Sequence, residues 1–152
     1  MRYYFFPVIV ADSNVFLSGC RSPNGASFVV LRGMLTGEIT FAATPAMLLE
    51  YEDVLKRPVI LGRTPAVPPW QIDPLLEALC ENAVQTFPWF RFRPFLLDPK
   101  DDLFIECALA AGARLIVSGD RHFQNPAVSA FGLTVTTARD FVANLRQERK
   151  KS

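Results

Sequence analysis

The chain has 152 residues, half of them hydrophobic and 13 of them phenylalanine, with a formal net charge of +1. That is enough for one domain with a substantial core, is too little for two, and excludes a disordered polyelectrolyte. Near-neutrality also excludes bulk electrostatics as the means of holding nucleic acid or a membrane, so a polyanion would need a local patch or a metal.

The cysteines Cys20, Cys80 and Cys107 are odd in number and form no Cys-x-x-Cys pair. Neither a disulfide framework nor a zinc site is expected, the thiols read as small core residues, and a reducing compartment fits. The start MRYYFFPVIV lacks a small-residue cleavage site, unlike a secretory signal. No stretch approaches the roughly 18 apolar residues of a membrane span. A cytoplasmic location with no membrane partner is expected.

In chain order, Phe6–Ala11 reads as a buried strand that delivers Asp12. A loop over Ser18–Gly25, holding Pro23 and the turn pair Asn24-Gly25, leads to a helix over Ala26–Leu35,. Ile39–Ala42 is a short strand, and Thr44-Pro45 has the form of an N-cap followed by proline at the first helical position,. That helix is expected to run to Lys56, before Pro58. Arg63–Pro69 is a proline-rich surface loop, and Gln71–Val84 has helical spacing of Ile72, Leu75, Leu76 and Leu79,. Phe90, Arg91, Phe92 and Arg93 alternate as in a half-buried strand. Asp101-Asp102 opens a helix to Ala111 with Gly112 as its C-cap,. Leu115–Ser118 and Leu133–Thr136 are strands, and Ala138–Leu145 a last helix. Residues 1–146 are expected to be one domain, and 147–152 a frayed charged tail. Apolar strands alternating with helices argue for a three-layer α/β domain with a mostly parallel sheet.

In such sheets ligands bind at the carboxyl ends of the strands. Asp12 follows the first strand directly, and Asp120 follows the Leu115 strand through Ser118 and Gly119. Asp102 opens a helix that runs antiparallel to the strands. Its start is expected toward the opposite edge, so topology alone does not bring it to the others. Glu50 sits mid-helix between Leu49 and Tyr51. Singly, each aspartate is explained as a helix cap. Jointly they say more. If these carboxylates converge to roughly 5 Å, each pair repels by about 3 kcal/mol at an effective dielectric near 20. The cluster must then protonate or hold a hard cation such as Mg²⁺ or Mn²⁺.

Asp12-Ser13-Asn14-Val15 after an apolar strand, Glu50 in LLEYEDVLKRP, and the run DPKDDLFIECALAAGARLIVSGDRHF together resemble the ordered motifs of PIN-domain ribonucleases. They are most similar to bacterial proteins described as toxin components of toxin–antitoxin systems (VapC-like). The resemblance spreads over Val8 to Phe141. It implies that Asp12, Glu50, Asp102 and Asp120 form an acidic site for Mg²⁺ or Mn²⁺, with Asp101 the competitor of Asp102 for the third place. It implies that Asn14 and Ser118 orient a carboxylate, a water or the scissile phosphate. It further implies hydrolysis of RNA phosphodiesters to a 5′-phosphate and a 3′-hydroxyl, an antitoxin partner and a homodimer. Ser13 stands where threonine is commoner, and His122 where many relatives carry another acid.

Arg121, Lys56 and Arg57 flank the proposed acids and are candidate contacts for RNA phosphates. Trp89, Arg91 and Arg93 could also touch RNA, although an ordinary strand explains them as well. Two alternatives stand beside the nuclease. A phosphatase of the haloacid dehalogenase type also places Asp after its first strand, but wants a second Asp where Asn14 stands. A catalytically inactive RNA- or protein-binding PIN module would keep the fold alone.

Overall fold

Three consecutive branched or small apolar residues cannot stay in water, and in strand form they need both faces covered. In the computed structural model, which describes residues 7–88, 102–119, 123 and 126–151, this is the fate of β1 (Ile9–Ala11), buried along its whole length. It pairs in parallel with β4 (Leu115–Val117), Val10 opposite Ile116. The third strand of this ladder is β5 (Thr134–Thr136), parallel to β4. A second parallel pair, β2 (Ala42–Ala43) and β3 (Val84–Gln85), joins the first through a parallel bridge between Ile9 and Phe41. The order across the molecule is therefore β3-β2-β1-β4-β5. Chain order runs outward from β1 on one side and resumes at β4 on the other. The reversal falls between β1 and β4, and there the carboxyl ends of the strands open a crevice.

The helices are α1 (Ser13–Arg21), α2 (Ala26–Thr36), α3 (Pro45–Leu55), α4 (Ile72–Asn82), α5 (Asp102–Ala111), α6 (Pro126–Ala130) and α7 (Ala138–Lys151), with a 3-10 turn at Pro69–Gln71. They sandwich the sheet in the expected three-layer arrangement. Caps behave as the sequence suggests. Thr44 Oγ1 accepts from Met47 N–H at 3.1 Å. Gly37 and Gly112 take φ of 83° and 70° at the ends of α2 and α5, where any Cβ would be strained.

Four local expectations are corrected. The loop over Ser18–Gly25 is helical as far as Arg21, because Asp12 caps a run whose Val15, Phe16, Gly19 and Cys20 face the core. Gly19 lets α1 approach α2 closely: a Cβ there would stand 3.0 Å from Ser27 O and 3.2 Å from Leu31. The helix expected over Gln71–Val84 ends at Asn82, because Val84 and Gln85 pair with Ala42 and Ala43 as β3. The last helix does not stop at Leu145 but continues to Lys151, with Arg149 bonded to Glu38 at 3.0 Å. Cys20 and Cys107 are core residues, whereas Cys80 is exposed. The strand expected at Phe90–Arg93, with Trp89, lies outside the described residues.

The expectation for the start of α5 is reversed. A helix that feeds a parallel strand must end beside that strand's amino end, so it begins at the carboxyl edge. Here Ala113 N–H donates to Ala108 O at 2.8 Å as the chain turns into β4, and Asp102, at the other end of α5, lies toward the crevice. Topology alone does favour Asp102 as a partner of Asp12.

Candidate active site

Asp12 leaves β1 in extended conformation and caps α1: its Oδ1 accepts from Val15 N–H at 3.0 Å. Its other oxygen, Oδ2, accepts a hydrogen bond from Ser118 Oγ, across the reversal point from the end of β4. The backbone repeats the link, Asp12 N–H donating to Val117 O at 3.2 Å. Ser118 N–H in turn donates to Thr136 O at 2.8 Å, so β5 fixes the serine. Asp12 and Ser118 are each only 2 % exposed. A carboxylate so buried is costly to keep charged unless its oxygens are bonded. Ser118 thus bonds the Asp12 carboxylate from the neighbouring strand.

Tyr51 is the residue that sequence reasoning missed. Fully buried on α3, it donates its hydroxyl to Ala11 O at 2.6 Å, one residue before Asp12. Its ring lies 4.1 Å from that of Phe16 on α1 and 6.2 Å from that of Phe104 on α5. One side chain thus touches β1, α1, α3 and α5, the elements that carry Asp12, Glu50 and Asp102. Burial first, then the fields of Cys107 and Asp12, push its phenol well above the ordinary tyrosine range. The available signal was a tyrosine inside an apolar helix, since a buried phenol seeks an acceptor. Glu50, its neighbour in the chain, sits roughly 100° round the helix and is half-buried.

Asp102 is buried, 4 % exposed, in the first turn of α5. Two residues on, Phe104 packs against both Tyr51 and Phe123. Cys107, one turn further, is pushed up to about 12 by burial, opposed by bonds to Thr86 and to the Thr44 backbone. Asn14 is exposed at the start of α1. Ser13 Oγ, next to Asp12, is buried with no hydrogen-bond partner among the described residues.

Carboxylates and hydroxyls are the donors a hard divalent cation takes, so in kind these residues fit Mg²⁺ or Mn²⁺. Among the described residues, however, no three acidic, histidine or cysteine side chains stand close enough to hold a metal. Asp101, Asp120, Arg121 and His122 lie outside the described residues. Lys56 and Arg57 do not turn toward Asp12. At the end of α3, Lys56 Nζ pairs with Asp73 at 2.6 Å and Glu52 at 3.7 Å, and Arg57 with Asp53 at 3.1 Å.

A family model described as PIN domain matches residues 8–122. The chain belongs to the PIN domain family. PIN domains are generally nucleases, and the haloacid dehalogenase alternative is set aside. No characterised protein matches the sequence. Among solved structures the chain is similar to the PIN domain of T. brucei RRP44, with a TM-score of 0.51 and 13 % identity over 95 % of this chain and 84 % of that one. At such identity the likeness speaks for the fold alone. No helix among the described residues is long and apolar enough to cross a membrane.

Proposed function

We propose that this PIN domain is a metal-dependent endoribonuclease, acting as the toxin of a toxin–antitoxin pair in the cytoplasm. The observation that carries the reading is Asp12, an acid buried at the carboxyl edge of β1 and bonded across the sheet's reversal point by Ser118. Asp12 and Asp120 would be the direct ligands of Mg²⁺ or Mn²⁺, with Glu50 and Asp102 as further ligand, water-orienter or base. A hard divalent cation bound there supplies an acidified water and neutralises charge on the phosphate. Ser118 and the amide of Val15 hold Asp12 in one orientation through the reaction. Asn14, exposed beside it, and Arg121 would position the scissile phosphate. Water adds to phosphorus in line with the departing 3′ oxygen, which takes up a proton. The products are a 5′-phosphate and a 3′-hydroxyl.

Purified protein is expected to cut single-stranded RNA with Mg²⁺ or Mn²⁺, and to lose the activity with chelator. Cleavage that persists in chelator would refute the metal; RNA binding without any cleavage would favour the inactive module instead. The toxin role has its own test: expression should arrest growth, and a neighbouring gene product, the antitoxin, should relieve it. A homodimer is proposed for the free protein.

A further inference from the structure

The last helix carries more positive charge than its one ion pair, Arg149 with Glu38, uses. Over Ala138–Lys151 there are five basic residues and two acidic ones, an excess greater than the +1 of the whole chain. The rest of the molecule is therefore net negative, and α7 is where a polyanion would be attracted. The charge is also sorted. Arg139, Ala143, Arg146 and Lys150 follow at i, i+4, i+7 and i+11, which places them within an arc of roughly 60° on the helix surface. All four are exposed, and Arg139, Arg146 and Lys150 form no ion pair among the described residues. Asp140 and Glu148 fall outside this stripe.

Helix stability does not account for the arrangement. Basic residues in the last turn favour the helix dipole, but Arg139, in the first turn, opposes it. The stripe also leads to the site. Thr137 Oγ1 caps α7 by accepting from Asp140 N–H at 3.1 Å. The preceding residue, Thr136, accepts from Ser118 N–H, and Ser118 holds Asp12. From Arg139 the stripe descends about 16 Å to Lys150. Near its lower end Arg146 joins Arg32 of α2 and the Glu38-bound Arg149 around a small pocket of about 70 Å³. Arg32 is itself stacked over the Phe28 ring at 5.9 Å. Guanidinium groups gathered in this way match phosphate oxygens. A lipid surface is a poorer occupant, because the apolar side of α7, Phe141 and Val142, is already buried in the core and cannot insert.

We propose that the Arg139–Arg146–Lys150 stripe, with Arg32, is a phosphate-tracking surface for single-stranded RNA that feeds the strand edge. Its direction rests on the nuclease reading above, but its charge and exposure do not.

The test is the salt-dependent binding of a fluorescent single-stranded RNA to the full chain, in chelator so that no cleavage intervenes. Arg139→Glu/Arg146→Glu/Lys150→Glu is expected to weaken binding at least tenfold. It should also flatten the dependence of log K on log salt by about 2, since each lost phosphate contact on a single strand contributes about 0.7. The double reversal Arg63→Glu/Arg114→Glu, elsewhere on the surface, should leave affinity within about twofold. Should the triple reversal fail to fold, the triple glutamine variant is expected to give a smaller loss in the same direction. Unchanged affinity and slope, or an equal loss in the control, overturns the proposal. So does polyglutamate binding as tightly as RNA with the same sensitivity, which would assign the stripe to an acidic protein. A chain that binds RNA through α7 yet cuts none keeps this proposal and ends the nuclease reading. Cleavage and binding untouched by the α7 variants do the reverse.

Discussion

Charge is put to opposite uses beyond the last turn of α3 and at the crevice. Past that turn, Lys56 and Arg57 are about half exposed and lie against Asp73, Glu52 and Asp53; such exposed pairs contribute little to stability. Toward the crevice, Tyr51 anchors the same helix to the end of β1, where Asp12 and Asp102 are almost wholly buried. Burial there makes each carboxylate expensive to keep charged. Acids that a fold could have left in water are thus held at the one edge where its strand order reverses. Charge at the far end is incidental to the fold, whereas the buried carboxylates at the crevice are the ones the proposed function uses.

The largest expected effect comes from removing charge at the crevice without removing the cap. Asparagine caps a helix about as well as aspartate, so Asp12→Asn should keep α1 but lower RNA cleavage by roughly 10²–10³-fold or more, on the scale of losing one electrostatic contact at a reacting centre. Single-turnover kinetics on an RNA oligonucleotide would measure this. Retained activity would place Asp12 on the incidental side of the comparison.

Tyr51→Phe should come next. It leaves Ala11 O buried and without its phenol donor, at a cost of about 1–3 kcal/mol. Lys56→Ala and Arg57→Ala should each cost no more than about 1 kcal/mol. Urea denaturation of the three variants orders the crevice anchor and the exposed ion pairs directly, and equal losses would erase the distinction.

A smaller effect follows from pH. Burial pushes Cys20 up to about 11 and Cys107 up to about 12 from an ordinary 9, and raises Tyr51 as well. In the unfolded chain these groups ionise earlier than in the native one. The stability they contribute is fully present below pH 9 and is lost as pH rises through the native values. The urea midpoint should therefore fall between pH 9 and 11, and a midpoint flat over that range would contradict the burial. The smallest and simplest check is thiol labelling at pH 8. Cys80 alone should react in the native protein and all three cysteines in denaturant, because Cys20 and Cys107 are buried thiols,.

Much of this contrast could be read from the chain. VIVAD and LIVSGD announce two buried strands that release polar groups at one edge, and the Thr44-Pro45 and Gly112 caps lie where their chemistry requires. What could not be read depends on tertiary contact. The residues SGCR look like turn material until Asp12 caps them and Gly19 packs on α2. The partnership of Ser118 with Asp12 spans more than a hundred residues, so no local pattern reveals it. Tyr51 was hidden among the core residues of α3, since nothing in its neighbourhood names Ala11 O as its acceptor. The edge at which Asp102 lies follows from the direction of α5, whose end stands beside the start of β4. Lys56 and Arg57 are close to Glu50 in sequence, while their pairing with Glu52, Asp53 and Asp73 is set by helix geometry and tertiary contact.

The central claim is that acids at the crevice form a site made tolerable by a hard dication, and thermal melting tests it without any substrate. A ligand that binds only the folded chain stabilises it, by about 2.7 kcal/mol at a hundredfold excess over its dissociation constant. Mg²⁺ or Mn²⁺ should raise the melting temperature of the wild type by several degrees and that of Asp12→Asn/Asp120→Asn hardly at all. An equal rise in both proteins, or none in either, would contradict the account.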